Sequence, residues 1–188
     1  MTAETQWQVL TTGDGSLTFF SQEFGQAFHN TSGAAQEALE KFVRPCRLDR
    51  LLLERDPKEP IRLLDICFGL GYNSGLALET IWQVRSDCHV EVIGLERSPE
   101  VPRQAWQVGV GSTWSFSQEW QHFIEQGSWQ SPRWRGILLW GDARQTLLQV
   151  PPGWADAVFL DPFSPSVCPE LWTVDFLRAV AERMRPSG

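Results

Sequence analysis

Four short apolar segments, each followed by a segment with helical periodicity, restrict the fold of this chain more than any other feature. The apolar segments cover residues 61–68, 89–96, 135–142 and 155–163, and helical patterns follow at 73–84, 98–110, 143–150 and 169–184. Strands that alternate with helices predict a parallel sheet with helices on both faces. Ligands of such α/β sheets bind beyond the carboxyl ends of the strands. We therefore look for site residues directly after each strand.

The first 60 residues have a different pattern. Residues 6–20 place apolar segments on both sides of a Gly-Asp-Gly-Ser turn, which predicts a β-hairpin. Residues 32–43 predict a helix capped by Ser32. The polar, proline-bounded residues 55–60 predict a loop. We expect an N-terminal extension over residues 1–60 that packs over the active site, and a Rossmann-like core over residues 61–188.

Composition excludes several classes of protein. No apolar run approaches the roughly 18 residues of a membrane span, and the N-terminus lacks a signal-peptide pattern, so we expect a cytoplasmic protein without membrane contact. The four cysteines form no C-x-x-C pair and the three histidines do not cluster with them, so we expect no metal. Tryptophan is frequent, with ten residues, and we expect most of these rings to pack in the core rather than on bases.

The first predicted strand leads into a glycine turn, Asp-Ile-Cys-Phe-Gly-Leu-Gly-Tyr-Asn-Ser. Gly69 and Gly71 match the first two glycines of a dinucleotide-binding motif, and Ser74 takes the place of the third. Glu96 ends the second strand, where an acid accepts hydrogen bonds from ribose hydroxyls. Both NAD and S-adenosylmethionine proteins use this arrangement, so the turn and Glu96 leave the two cofactors open.

Carboxylates at the strand ends favour S-adenosylmethionine. Asp142 and Ala143 follow the third strand, where a carboxylate and a backbone N–H can bind adenine. With Asp65, Glu96 and Asp161 they predict an acidic pocket. Such a pocket attracts the cationic sulfur of S-adenosylmethionine and repels a phosphate-rich ligand. We therefore expect S-adenosylmethionine as cofactor, with an NAD-dependent dehydrogenase as a distant alternative.

The fourth strand ends in Phe-Leu-Asp-Pro-Phe-Ser-Pro, a pattern typical of methyltransferases that act on amino groups. Asp161 can orient the N–H bonds of an amine and accept the proton that leaves on methylation. Pro162 stiffens the turn, and Phe163 can stack on a flat substrate. The segment predicts methyl transfer to nitrogen.

Four segments together resemble one enzyme family. They are residues 14–43, 64–74, 141–147 and 156–173. They are similar to the methyltransferase half of the tRNA 5-methylaminomethyl-2-thiouridine biosynthesis enzyme and its stand-alone relatives, and the similarity runs from about residue 12 to residue 188. The resemblance implies a class I methyltransferase that methylates the aminomethyl group of a modified wobble uridine in tRNA. In that family an oxidase acts on the side chain first, so it also implies a separate oxidase upstream.

The resemblance implies a role for individual residues. The catalytic base would be Asp161. The cofactor would be bound by Asp65, Phe68, Gly69, Gly71, Glu96, Asp142 and Ala143. The substrate would be bound by His29, Glu37 and Phe163.

Two features of the sequence depart from the family pattern. Asp-Gly-Phe-Ala-Pro reads Asp-Pro-Phe-Ser-Pro here, and Pro162 narrows the turn. The net charge of −7 is unusual for a tRNA enzyme. A local basic patch would have to come from Arg44, Arg47, Arg50, Arg62, Arg133, Arg135 and Arg144. Two alternatives therefore stay open, a methyltransferase of a small-molecule amine and a non-catalytic cofactor-binding fragment.

The resemblance implies a fold with a seven-stranded sheet. The sequence, however, ends after the fourth predicted core strand and its helix. We therefore expect a sheet that is incomplete on its C-terminal side. The fourth strand would then have an open edge or a partner chain over it.

Overall fold

The structure is a computed structural model that describes residues 7–186. Its first part is a three-stranded antiparallel sheet of β1 (Trp7–Thr11), β2 (Leu17–Ser21) and β3 (Gln26–Ala27), in the order β1-β2-β3. Helix α1 (Ala34–Glu37) follows and continues as a π-helix over Ala38–Val43, and α2 spans Leu48–Glu54. The hairpin was predicted, whereas β3 and α2 were not.

The start of α1 is capped by the hairpin rather than by Ser32. Gly33 is the N-cap residue, and no side chain of its own caps the helix. The hydroxyl of Ser16 accepts hydrogen bonds from the N–H groups of Ala34 and Ala35, and Asp14 accepts one from Gln36. The prediction for Ser32 is therefore wrong, because the hairpin turn already satisfies the free N–H groups of this helix end.

The second sheet contains five strands. They are β4 (Ile61–Ile66), β5 (Val90–Glu96), β6 (Ser128–Gln130), β7 (Trp134–Trp140) and β8 (Ala157–Leu160). Their order is β6-β7-β5-β4-β8, and β6 alone runs antiparallel to its neighbour. The helices of this part are α3 (Tyr72–Val84), α4 (Glu100–Gln107), α5 (Ser117–Gln126), α6 (Ala143–Thr146) and α7 (Val174–Ala181). The predicted α/β class with four parallel core strands is confirmed, and the short β6 was missed.

The last helix differs from its prediction. Residues 169–184 were expected to form one helix, but Pro169–Leu171 form a 3-10 turn and α7 begins at Val174. Thr173 caps α7 by accepting a hydrogen bond from the N–H of Phe176. The buried side was expected to contain Leu171, Val174, Leu177, Val180, Ala181 and Met184. Only Leu171 and Val180 of these are buried, and Phe176 joins them, so the predicted buried face is wrong for the other four residues.

An aromatic core fills the face of the sheet below α3 and α5. Trp120 and Trp134 are fully buried there, with ring centroids 6.3 Å apart. Phe68, Phe116 and Phe123 pack around them. None of the helices in residues 7–186 is long and apolar enough to cross a membrane.

A buried carboxylate links three strands at the opposite end of the sheet from the cavity described below. Glu91 of β5 accepts hydrogen bonds from Arg62 of β4 at 3.1 Å and pairs with Arg135 of β7 at 2.9 Å. The three residues are direct partners in the strand register. These two ion pairs therefore link the three parallel strands β4, β5 and β7.

We expect Glu91→Gln to lower the free energy of unfolding by about 1–2 kcal/mol. Loss of the shared acid leaves two arginines without their partner, and the exposure of Arg135 to water limits the cost. Urea unfolding followed by fluorescence measures this change. The matched control is Glu54→Gln, which removes an exposed pair with Arg50, and we expect no measurable change there. Equal changes in the free energy of unfolding for the two substitutions would contradict a stabilising role of the ion pairs of Glu91.

Candidate cofactor and substrate cavity

A cavity of about 1070 Å³ lies at the carboxyl ends of the parallel strands. Its floor comes from the residues that follow β4, β5, β7 and β8, and its roof comes from the N-terminal sheet. Eight of the predicted site residues line it, namely His29, Glu37, Gly69, Glu96, Asp142, Ala143, Asp161 and Phe163. Asp65, Phe68 and Gly71 are not among the lining residues. The structure thus separates the predicted set into a lining group and a supporting group.

The glycine turn is fixed to the end of the next strand. The N–H of Gly69 donates to Oε2 of Glu96 at 2.8 Å, and Oε1 of the same carboxylate accepts from the N–H of Ser98 at 2.9 Å. Burial raises the pKa of Glu96, and these backbone donors oppose the rise. Each oxygen retains a lone pair, so Glu96 can still accept hydrogen bonds from a diol in the cavity.

Gly71 allows the turn to pack on the aromatic core. Its φ of 86° is in the left-handed region, and an added Cβ would lie 2.7 Å from Trp120 and 2.9 Å from Phe68. Phe68 itself turns away from the cavity and stacks on Trp120, with ring centroids 5.8 Å apart. Gly71 and Phe68 therefore determine the shape of the turn through their packing on the aromatic core. The ring of Phe68 does not face the cavity.

Asp65 lies buried behind the turn. Its Oδ2 accepts a hydrogen bond from the hydroxyl of Ser74 at 2.6 Å and a longer one from the Ser74 N–H. Its Oδ1 is buried and has no hydrogen-bond partner among the described residues. Burial raises the pKa of Asp65 to about 8. Most of this carboxyl group is therefore protonated at pH 7, and it supports the turn from behind rather than facing the cavity.

Asp161 follows β8 and lines the floor of the cavity. Burial raises the pKa of its carboxyl group to about 6, while a hydrogen bond from Asn73 Nδ2 at 3.2 Å opposes the rise. The group is mostly ionised at pH 7 and still takes up a proton more readily than an exposed aspartate. A carboxylate in this place could accept a proton from a ligand in the cavity.

Asp142 lies at the opposite end of the cavity and is engaged by its own loop. It caps α6 by accepting the N–H of Arg144, and the guanidinium of Arg144 folds onto the same carboxylate, with Nε 3.0 Å from Oδ1. This hydrogen bond from Arg144 lowers the pKa of Asp142. Ala143 begins α6 next to it and lines the cavity. A ligand that binds Asp142 therefore shares it with Arg144.

His29 and Glu37 reach the cavity from the N-terminal part. Burial lowers the pKa of His29 to about 4, so its ring is neutral, and Nδ1 lies 3.0 Å from the hydroxyl of Thr18. Glu37 accepts a hydrogen bond from Lys41 of the π-helix at 2.5 Å. The sequence analysis missed Lys41, whose i, i+4 spacing from Glu37 was the available signal.

Three phenylalanines form one wall where the roof meets the floor. Phe163 stacks on Phe24 with centroids 4.6 Å apart, and Phe28 meets it edge-on at 5.0 Å. Gln26 of β3 connects the N-terminal sheet to Ser164, the residue after Phe163. Its Nε2 donates a hydrogen bond to the Ser164 hydroxyl at 2.6 Å, and its Oε1 accepts one from the Ser164 N–H at 3.2 Å. The roof residues were missed, because no local pattern in the sequence distinguishes them.

The seven arginines named as the source of a possible basic patch are all engaged by other side chains of the described residues. Six of the seven arginines named for it pair with acids: Arg44 with Glu40, Arg47 with Asp49, Arg50 with Glu54, Arg62 and Arg135 with Glu91, and Arg144 with Asp142. The seventh, Arg133, lies over the ring of Trp82 at 3.8 Å. Residues 7–186 also contain no group of three or more side chains able to hold a metal ion.

The residues around the cavity fit S-adenosylmethionine. The ionised Asp161 on the cavity floor suits a ligand that carries positive charge. Lone pairs of Glu96 suit ribose hydroxyls, and Asp142 and Ala143 suit an adenine. The helix that follows the glycine turn has Ser74 where a dinucleotide-binding motif has its third glycine, which fits a ligand without a pyrophosphate.

Comparison with known proteins gives an independent result. A family model described as S-adenosyl-L-methionine-dependent methyltransferase matches residues 116–188. The solved structure of MnmC2 from Aquifex aeolicus superposes with a TM-score of 0.79 at 35% identity, over 100% of this chain and 59% of that one. The fold, the cavity and these matches define the chain as a methyltransferase domain of the class that uses S-adenosyl-L-methionine.

Two curated relatives make the assignment more specific. The tRNA 5-methylaminomethyl-2-thiouridine biosynthesis bifunctional protein MnmC of Paracidovorax citrulli is 30% identical over 89% of this chain and 27% of its own length. An uncharacterized protein of Methanocaldococcus jannaschii is 29% identical over 94% of this chain and 47% of its own length. The chain is thus an MnmC-like methyltransferase domain, and it spans about half or less of the length of these curated relatives.

Proposed function

We propose that this chain binds S-adenosylmethionine in the cavity and methylates the aminomethyl group of a modified wobble uridine in tRNA. The observation that carries the proposal is the ionised Asp161 on the cavity floor beside an aromatic wall. Relatives named for tRNA 5-methylaminomethyl-2-thiouridine biosynthesis support the choice of substrate. We also propose that the chain divides at residue 60 into an extension over the site and a Rossmann-like core, and that a separate oxidase precedes it.

The chain's own residues account for the chemistry. Bound S-adenosylmethionine supplies a methyl group on a cationic sulfur. The amine lone pair forms the new N–C bond as the C–S bond breaks with its electrons on sulfur, and the nitrogen must lose one proton. Asp161 orients the N–H and accepts this proton. The neutral His29 avoids adding a positive charge beside the amine.

The aromatic wall supports a planar substrate. Phe24, Phe28 and Phe163 offer ring surfaces at the side of the cavity that holds Asp161. Stacking of a base on an aromatic ring contributes about 1–3 kcal/mol. A pyrimidine held there would carry its aminomethyl substituent toward the carboxylate.

A second candidate function is methylation of a small-molecule amine. The arginine pairing favours it, because the cations that would meet the tRNA backbone are engaged by acids or by Trp82. Charge favours it as well, since a net charge of −7 repels polyanions and attracts cationic amines.

Methyl transfer from labelled S-adenosylmethionine separates the two candidates. The substrates are tRNA that carries the 5-aminomethyl-2-thiouridine, the same tRNA without that modification, and a polyamine. Label in the modified tRNA alone is the expected result. Label in the polyamine with none in tRNA would replace the first candidate by the second, and no label in any substrate would contradict both.

A further inference from the structure

Asn73 joins the glycine turn to the proposed base. It is the second residue of α3, directly after the turn that contains Gly71, and its side chain is buried. Its Nδ2 donates a hydrogen bond to Oδ2 of Asp161 at 3.2 Å. Within the described residues this is the only hydrogen bond from a side chain to that carboxylate. Asn73 does not line the cavity, so it meets the reaction only through Asp161.

The next residue makes the equivalent contact to the neighbouring strand. Ser74 donates to Asp65 on β4, while Asn73 donates to Asp161 directly after β8. The two strands are paired, so the first turn of α3 holds two carboxyl groups side by side at the sheet's edge. The positions of both contacts depend on the turn, which Gly71 shapes.

We propose that Asn73 is a positioning residue for methyl transfer: its amide holds Oδ2 of Asp161, so that Oδ1 is left to meet the substrate amine. The inference rests on the proposed function of Asp161 as base. An uncharged N–H donor is suited to this task, because it stabilises the ionised carboxylate without offering the substrate amine a competing positive charge. Asn73 therefore keeps the base ionised although burial favours the neutral acid.

Other charged and titratable groups surround Asp161. They are Glu37 of α1, Lys41 of the π-helix, Asp65 of β4, and Cys67 directly after β4. Glu37 opposes ionisation of Asp161 and Lys41 favours it. A substitution at Asn73 leaves all four in place, so a change in the titration of Asp161 reports the lost amide.

Three variants test the inference. Asn73→Leu removes the N–H donor while keeping the number of side-chain heavy atoms, and Asn73→Asp places a second carboxyl group against Asp161. Thr80→Val is the matched control, since it removes a hydroxyl that donates to the Leu76 carbonyl in the same helix, away from the cavity. The readouts are the carboxyl ¹³C titration of Asp161, assigned with Asp161→Asn, and the pH profile of kcat/KM for methyl transfer.

We expect the acid dissociation constant of Asp161 to fall about tenfold in Asn73→Leu and further in Asn73→Asp, with the profile of kcat/KM moving to higher pH by the same amount. Thr80→Val should match the wild type in both readouts. If Asn73 only supported the fold, the acid dissociation constant of Asp161 would not fall in this order in the two variants.

An unchanged titration of Asp161 in folded Asn73→Leu and Asn73→Asp would overturn the inference. The NMR readout needs no substrate, so it also separates the two proposals. Absence of methyl transfer by the wild type, with the titration shifted in the variants, would remove the proposed function and leave the contact between Asn73 and Asp161. Methyl transfer with unshifted titrations would remove the role of Asn73 alone.

Discussion

Asp161→Asn is expected to lower the rate of methyl transfer by roughly 10²–10⁴-fold, the range typical of a lost general base. Asparagine has nearly the same shape and can still occupy the place beside Asn73, but it cannot accept the proton that leaves the amine. Single-turnover transfer of labelled methyl measures the rate, and calorimetry checks that S-adenosylmethionine still binds. The matched control is Asp175→Asn on the exposed face of α7, with an expected rate equal to the wild type.

The pH dependence follows from the same group. Burial raises the pKa of Asp161 to about 6, and the base acts in its ionised form. The single-turnover rate should therefore rise with pH through about 6 and level off above it. Asp161→Asn should lack this rise. A variant that keeps the wild-type rate, or a rise that survives the substitution, would show that another group takes the proton.

Trp120→Ala is expected to lower the free energy of unfolding by about 3–5 kcal/mol. The ring of Trp120 is almost completely buried, and it has five aromatic neighbours: Phe68, Trp114, Phe116, Phe123 and Trp134. Its removal leaves a cavity beneath Gly71, so the turn should loosen and S-adenosylmethionine should bind more weakly. Urea unfolding measures the first effect and calorimetry the second.

The control for this substitution is Trp172→Ala. Trp172 is 37% exposed and donates through its indole N–H to the carbonyl of Phe163, so its loss should cost about 1 kcal/mol. If Trp120→Ala cost no more than Trp172→Ala, the aromatic core would not be what supports the glycine turn.

The sheet and the position of the cavity could be predicted from the sequence, because they depend on local patterns. Apolar segments that alternate with helices define parallel strands, and the carboxyl ends of such strands share one edge. Asp142, Asp161 and Glu96 therefore line one cavity. The burial of the Asp65 side chain behind the turn did not follow, because a strand covered on both faces shows no alternation that distinguishes one face from the other. The side of the turn to which Phe68 points did not follow either, because it depends on packing against Trp120.

Contacts between distant segments account for most of what the sequence analysis missed. The capping of α1 by Asp14 and Ser16 depends on the hairpin folding back on the helix. The wall of Phe24 and Phe28 exists only because the roof lies on Phe163. The arginines were considered as a source of positive charge, whereas the acids of six of them lie two or four residues away in the chain or on the neighbouring strand. Charge composition alone does not reveal such pairs.

Titration of this chain with S-adenosylmethionine in a calorimeter, beside Glu96→Ala and Glu54→Ala, tests the central claim most directly. Glu96 fastens the glycine turn and faces the cavity, whereas Glu54 is exposed on α2. We expect saturable binding with one site, about tenfold or more weaker in Glu96→Ala because hydrogen bonds to a charged group are lost, and unchanged in Glu54→Ala. No binding by the folded chain, or equal affinity in all three proteins, would contradict a methyl-donor site at the ends of these strands.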